Sequence, residues 1–186
     1  MSATLMAEQV LLDRLIVEIN GKSYSQKQLE TYMLLRTIAM GEEWRKGIPS
    51  SQTWPEVVEQ FKNEMVVNTQ LENDQQKLDS FAPDSKRVQD AETLLASLQS
   101  KNSELDKFLR QRQLTEAEIA RVLTRVFRIE AYTKSRLQLS AAKTQDDDAF
   151  VRLDPSADWF QALSRATAFR FFVKAKEYIA LVPYKS

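Results

Sequence analysis

Chemistry in this chain would have to come from carboxylates, Lys, Arg, Tyr, Ser and Thr, because its 186 residues include no Cys and no His. A Ser–His or Cys–His nucleophile, an imidazole base and thiolate or imidazole metal ligation are therefore excluded. Three groupings are left to weigh. Arg121, Arg125, Arg128 and Arg136 share one face of a helical stretch. They read either as a contact for acidic segments or lipid headgroups, or as a solvated face paired with neighbouring carboxylates. Asp146, Asp147 and Asp148 are consecutive. A calcium loop spreads its oxygen ligands over a wrapped loop closed by a bidentate Glu, so this triplet reads as a solvated linker. Tyr24, Tyr32, Tyr132, Tyr178 and Tyr184 stand near no recognisable base motif, and no pattern among the carboxylates picks out a catalytic pair. The expectation is a protein without catalytic residues, cofactor or metal.

Binding chemistry has better candidates. Met33, Met40, Trp44, Ile48, Trp54, Phe61 and Met65 gather soft and aromatic side chains in the first half of the chain. They read as an adaptable peptide-binding groove, since Met can re-pack around varied partners, or as ordinary core. Trp44 and Ile48 are the least explained by helical spacing and mark the expected exposed patch.

These side chains need elements to hold them. Gly occurs only at Gly21, Gly41 and Gly47, far below the usual ~7%. Residues 48–186 therefore read as helices joined by short polar links, and the glycine-rich phosphate cradles are missing. A strand over residues 12–19, the Asn20-Gly21 turn and a short strand at 22–24 form a hairpin. Ser25 and Gln28 then cap a helix over 26–40 that Gly41 ends. Residues 42–51 are a loop. Thr53, Pro55 and Glu56 open a helix that runs on past Leu71 to Leu78 and stops at 81–84. Further helices are expected over 85–100, after a Ser103 cap, and from a Thr115–Glu118 capping box through Leu137. Residues 139–153 are a polar linker, and Asp154-Pro155 opens a helix through Ala166. The alternation from Phe169 to Val173 predicts a strand, and 179–182 another. The 169–173 strand is expected to pair with residues 16–19, because a hairpin alone is marginal and a third strand packed on helices stabilises it.

Length and composition bound the class. The expectation is one domain over residues 1–186, with 1–11 flexible or a signal-peptide remnant. Lys plus Arg and Asp plus Glu both number 26, so net charge is zero. This argues against bulk binding to nucleic acid or anionic membrane. No run of ~18 apolar residues is present to span a bilayer.

Two segments carry a family resemblance. Residues 13–29, with the strand Leu15-Ile16-Val17-Glu18-Ile19, the Asn20-Gly21 turn, the extended Lys22-Ser23-Tyr24 step, the Ser25 cap and the Gln28-Leu29 pair, resemble the opening of SurA-type periplasmic chaperones. Residues 123–137 are similar to the long helix that precedes the isomerase insertion in that family, and 159–183 to the segment that returns to complete the N-terminal fold. Tyr24 stands where the family usually has Ile or Val, and Gln28 where it has Glu. The parvulin domain, which would be inserted at residues 139–153, is missing: a polar linker holds the place of a ~100-residue unit. The resemblance implies a mainly α, SurA N-terminal-like chaperone domain with a small antiparallel β element, closed by pairing of its N- and C-terminal strands. It implies a periplasmic, ATP-independent holdase without prolyl isomerase activity, whose partners are unfolded or extended segments of envelope proteins. The alternative is a non-enzymatic interaction protein of the same fold, binding one partner or forming a homodimer.

Overall fold

Two residues set the first hairpin. Asn20 and Gly21 take φ of 48° and 81°, the paired left-handed geometry of the type I′ turn that matches the twist of its flanking strands. In the computed structural model, which describes residues 9–11, 13–42, 53–140, 150–172 and 183–185, this turn joins β2 (Leu15–Ile19) to β3 (Lys22–Ser25). A short β1 (Gln9–Leu11) precedes them. The three-stranded sheet has order β3-β2-β4, where β4 is Phe169–Phe171, and β4 runs antiparallel to β2 with Val17 opposite Phe171 and Ile19 opposite Phe169. The expected closure of the chain through residues 16–19 and the 169 segment is thus present. The turn also clamps the returning strand: Asn20 N–H donates to the Ala168 carbonyl at 2.8 Å, and Ala168 N–H donates to Asn20 Oδ1 at 3.0 Å. A second, two-stranded ladder pairs β1 with β5 (Pro183–Lys185), a contact the sequence reading missed.

β2 departs from simple alternation. The register with β3 shifts between Leu15 and Val17. A bulge places successive residues on one side, so Ile16 and Val17 are both buried while Leu15 is exposed. Strict alternation would put Leu15 on the face of Val17 and Ile19, and the bulge is why it is not there.

Seven helices follow among the described residues: α1 (Gln26–Ala39), α2 (Trp54–Glu72), α3 (Gln75–Ser80), α4 (Ser85–Lys101), α5 (Ser103–Gln111), α6 (Glu116–Ser140) and α7 (Asp158–Arg165). Local chemistry accounts for most of their ends. Ser25 and Gln28 form the capping box of α1, each side chain serving the other's N–H. Gly41, at φ 69°, closes α1 with Gly41 N–H to Ile38 O and Glu42 N–H to Thr37 O, the two bonds of a Schellman end. Thr115 and Glu118 cap α6 reciprocally, with Thr115 N–H donating to Glu118 Oε2 and Glu118 N–H to Thr115 Oγ1.

Three helix boundaries differ from expectation, each because an Asn or Asp side chain competes for backbone N–H groups. The expected continuous helix to Leu78 breaks at Asn73, and Asp74 caps the separate α3 through Lys77 N–H. α5 is capped by Asn102, whose Oδ1 accepts from Glu104 and Leu105 N–H, rather than by Ser103. Asp154 binds Ser156 N–H and hydroxyl in a turn, so α7 begins at Asp158 instead of at Pro155.

The core has two compartments that share α1 and α6. In the first, Ile16, Val17 and Ile19 of the sheet meet Leu29, Tyr32 and Met33 of α1, Phe61 and Met65 of α2, Val126 and Ile129 of α6, and Phe160 of α7. In the second, Leu34, Leu35 and Ile38 of α1 meet Leu95 of α4, Leu105 and Phe108 of α5, and Leu123 and Phe127 of α6. From Leu29 to Ile38 α1 is buried on every side, and so is α2 from Phe61 to Thr69. Several of their buried charged residues are paired with one another or with a neighbouring turn. Arg36 Nε donates to Glu64 Oε1 at 2.7 Å, Tyr32 hydroxyl donates to Glu64 Oε2, and Arg112 of the α5–α6 turn is paired with Glu30. Residues 1–8, Trp44, Ile48, Asp146–Asp148, Val173 and the strand expected at 179–182 lie outside the described residues.

Candidate peptide-binding surface

β4 places aromatic side chains at the open margin of the sheet. Its alternation, Phe169-Arg170-Phe171, sends both Phe rings to the face that carries Val17 and Ile19, while Arg170 lies on the other face, 3.7 Å from Glu18. Val17 and Ile19 are sealed beneath the helices, but Phe169 and Phe171 stand past them and remain 45% and 39% exposed. Their rings meet edge to face at 5.8 Å. Phe172, on the Arg170 face, and Leu15 are also exposed, at 39% and 47%. Lys62 Nζ sits 4.8 Å from the Phe169 ring centroid, so a cation borders the patch, and on the other face the Arg170 guanidinium lies 4.6 Å from the Phe172 ring centroid. Phe172 N–H donates inward to the Ile16 carbonyl at 2.9 Å. By the two-residue period of the ladder, the N–H and C=O groups of Phe169 and Phe171 face the outer side, where no described strand takes them. The arrangement offers a main-chain template with alternating aromatic contacts.

The residues proposed from sequence fall elsewhere. Met33, Trp54, Phe61 and Met65 are buried, and Met33, Phe61 and Met65 hold the first core compartment together. The groove reading for these four is corrected: helices α1 and α2 are covered on both flanks, so periodic apolar residues there face neighbouring elements. Phe61 is gripped edge to face by Tyr24 at 5.6 Å and Tyr32 at 5.5 Å, contacts worth about 0.5–1.5 kcal/mol each beyond burial. Met40 is half-buried, and its sulfur accepts from Arg36 Nη1 at 2.8 Å. The aromatic surface that is exposed had a legible signal, the alternation of 169–173, but strand periodicity does not reveal which face lacks cover.

The arginine face divides. Arg136 donates to the Tyr132 hydroxyl at 2.8–3.0 Å and packs on that ring. Arg125 lies 3.6 Å from Glu72, whose carboxyl is pushed up by burial yet held below its usual range by hydrogen bonding from Lys22 and Asn68 and by the Lys22 and Arg125 charges. Arg121 and Arg125 also line a half-open cleft of about 500 Å³ between the start of α1 and the first half of α6, with Tyr24, Thr31, Tyr32 and Phe61 on its inner side. Glu118, at its rim, is held low by the Thr115 hydrogen bonds and by the Lys27 and Arg121 charges.

Among the described residues no cluster of three or more carboxylates is arranged to hold a metal ion, and no helix is long and apolar enough to cross a membrane. No protein-family model matches the chain, and comparison with curated proteins and with solved structures gives no match.

Proposed function

We propose that this chain is a non-enzymatic, ATP-independent chaperone domain of the SurA N-terminal type, without prolyl isomerase activity, that holds unfolded or extended segments of envelope proteins in the periplasm. The observation that carries this reading is the outer edge of β4. Phe169 and Phe171 offer apolar contact at alternate positions, and the backbone between them offers sequence-independent hydrogen bonds. That pairing suits clients which share extended conformation rather than sequence. Burying the remaining exposed part of each ring contributes about 1 kcal/mol, so the pair contributes about 2 kcal/mol, roughly 30-fold in affinity.

The test is dilution of a urea-unfolded outer-membrane β-barrel protein into buffer containing the chain in stoichiometric excess, with aggregation followed by light scattering. The chain is expected to suppress aggregation, and Phe169→Ser/Phe171→Ser to lose most of that effect. No suppression by the unaltered chain refutes the chaperone reading. Equal suppression by the variant refutes β4 as the surface. Recovery of one stoichiometric folded partner from envelope extract, with no unfolded clients, favours the dedicated interaction protein instead.

A further inference from the structure

The phase of the β2–β4 ladder fixes how another strand can lie along the outer edge of β4. The Ala168 carbonyl and the Phe172 N–H are both bonded to the β2 side. Positions 168, 170 and 172 therefore turn their main-chain groups inward, and Phe169 and Phe171 turn theirs outward. A strand added antiparallel hydrogen-bonds to Phe169 and Phe171 and lies opposite Arg170 in a non-hydrogen-bonded pair. Cα atoms in such a pair approach to about 4.5 Å, against about 5.5 Å in a hydrogen-bonded pair such as Arg170 with Glu18. The added residue thus comes closer to Arg170 than Glu18 does.

Charge then selects the occupant. On this face the cross-strand row runs Ser23, Glu18, Arg170, with the Ser23 hydroxyl donating to Glu18 at 3.5 Å. The Arg170 side chain is 67% exposed, and its contact with Glu18, at 3.7 Å, is longer than a hydrogen bond. The guanidinium carries five N–H donors in a planar fork, enough for a carboxylate on each side. Opposite charges facing across strands stabilise the pair and like charges destabilise it, so the place beyond Arg170 favours an acid. The same rule disfavours a second copy of this chain. Two β4 strands joined through Phe169 and Phe171 would set the two Arg170 side chains against each other at the closest spacing. A charge on an open edge strand guards against such self-pairing.

Resting on the β4 edge as the client surface, we infer that its preferred occupant is an extended segment with Asp or Glu between two apolar residues. The acidic side chain meets Arg170. Its apolar neighbours fall on the opposite face, against Phe169 and Phe171. Arg170 is the residue that discriminates, by charge, among segments the main-chain bonds accept alike.

The experiment is NMR titration of the full chain with three peptides that differ at one position. Each carries a single Val-X-Val triplet in a Gly/Ser host, with Glu, Gln or Lys at X. All three are expected to shift the Phe169 and Phe171 amide signals. Affinity should fall in the order Glu, Gln, Lys, with about three- to tenfold between the extremes. The spread should narrow as salt rises. Arg170→Gln should level the order. Glu18→Arg/Arg170→Glu keeps the cross-strand pair with its signs exchanged and should reverse it. Equal affinities in the unaltered chain, or an order that the exchange leaves as it was, overturn the inference while leaving β4 as the surface. Peptides that fail to bind at millimolar concentration, or bind without moving those amides, overturn both. A dimer in sedimentation that the peptides disperse assigns the edge to a second copy and overturns the inference as well.

Discussion

Replacing Glu64 with Met should destabilise the fold by about 3–5 kcal/mol, the usual loss when one partner of a buried ion pair is removed. The figure follows from what Glu64 holds. Its side chain and that of Arg36 are 5% and 6% exposed. One carboxylate oxygen accepts from Arg36 Nε at 2.7 Å and Gln60 Nε2 at 3.0 Å, and the other accepts from the Tyr32 hydroxyl. Without the carboxylate, the guanidinium stays between two fully packed helices, and the Tyr32 hydroxyl loses its acceptor. The reasoning also predicts the reverse. Arg36→Met/Glu64→Met removes both charges and should recover most of the loss. The residual deficit, about 1–3 kcal/mol for the stranded Tyr32 hydroxyl, should shrink again when Tyr32→Phe is added. The assay is urea unfolding followed by Trp fluorescence. With a slope near 2 kcal/mol per molar, Glu64→Met lowers the midpoint by about 1.5–2.5 M at unchanged slope. A loss below about 1 kcal/mol for Glu64→Met, or a double variant whose loss equals the sum of the singles, would refute the claim that this pair is desolvated and coupled.

Two further outcomes follow from single residues. Burial, then the Glu64 charge and hydrogen bond, push the Tyr32 hydroxyl well above the ordinary tyrosine value, against the opposing pull of Arg36 and Arg125. The folded state therefore keeps this proton longer than the unfolded chain. The stability this contributes is complete below about pH 10 and is lost as pH rises from there through the folded-state value. Urea midpoints measured upward from pH 9 should thus fall more steeply for the unaltered chain than for Tyr32→Phe, and parallel curves would count against the shift. Gly21→Ala should lower stability by about 1–2 kcal/mol in a thermal melt, the cost of a side chain in left-handed backbone. An added Cβ meets no atom within 4 Å at φ 81°, so a loss well beyond that range would mean crowding at the turn.

How much was readable in advance depends on how far apart the interacting groups lie along the chain. The Asn20-Gly21 turn and the Ser25–Gln28 and Thr115–Glu118 boxes each close within four residues, so the residue types alone specify them. The three misplaced helix boundaries are also local, and they show the limit of pattern reading: several Asn, Asp and Ser side chains compete for the same N–H groups, and small differences in geometry choose between them. Phe169 to Phe171 could be recognised as a strand from its alternation, and the closing pair with β2 followed from the instability of an unsupported hairpin.

The helical class, most caps, the first hairpin and the absence of imidazole and thiol chemistry were legible in the amino-acid order, because these rest on composition and on contacts between near neighbours. Which apolar residues are covered depends on how the helices and sheet pack in three dimensions. Met33, Trp54, Phe61 and Met65 have the same sequence character as a binding groove, yet helices packed on both flanks bury them, while Phe169 and Phe171 stay open past the margin of the helical layer. The buried partners Arg36 with Glu64 and Glu30 with Arg112, 28 and 82 positions apart, carry no periodic signal either. Burial and long-range pairing depend on what the rest of the chain places alongside, which no local spacing encodes.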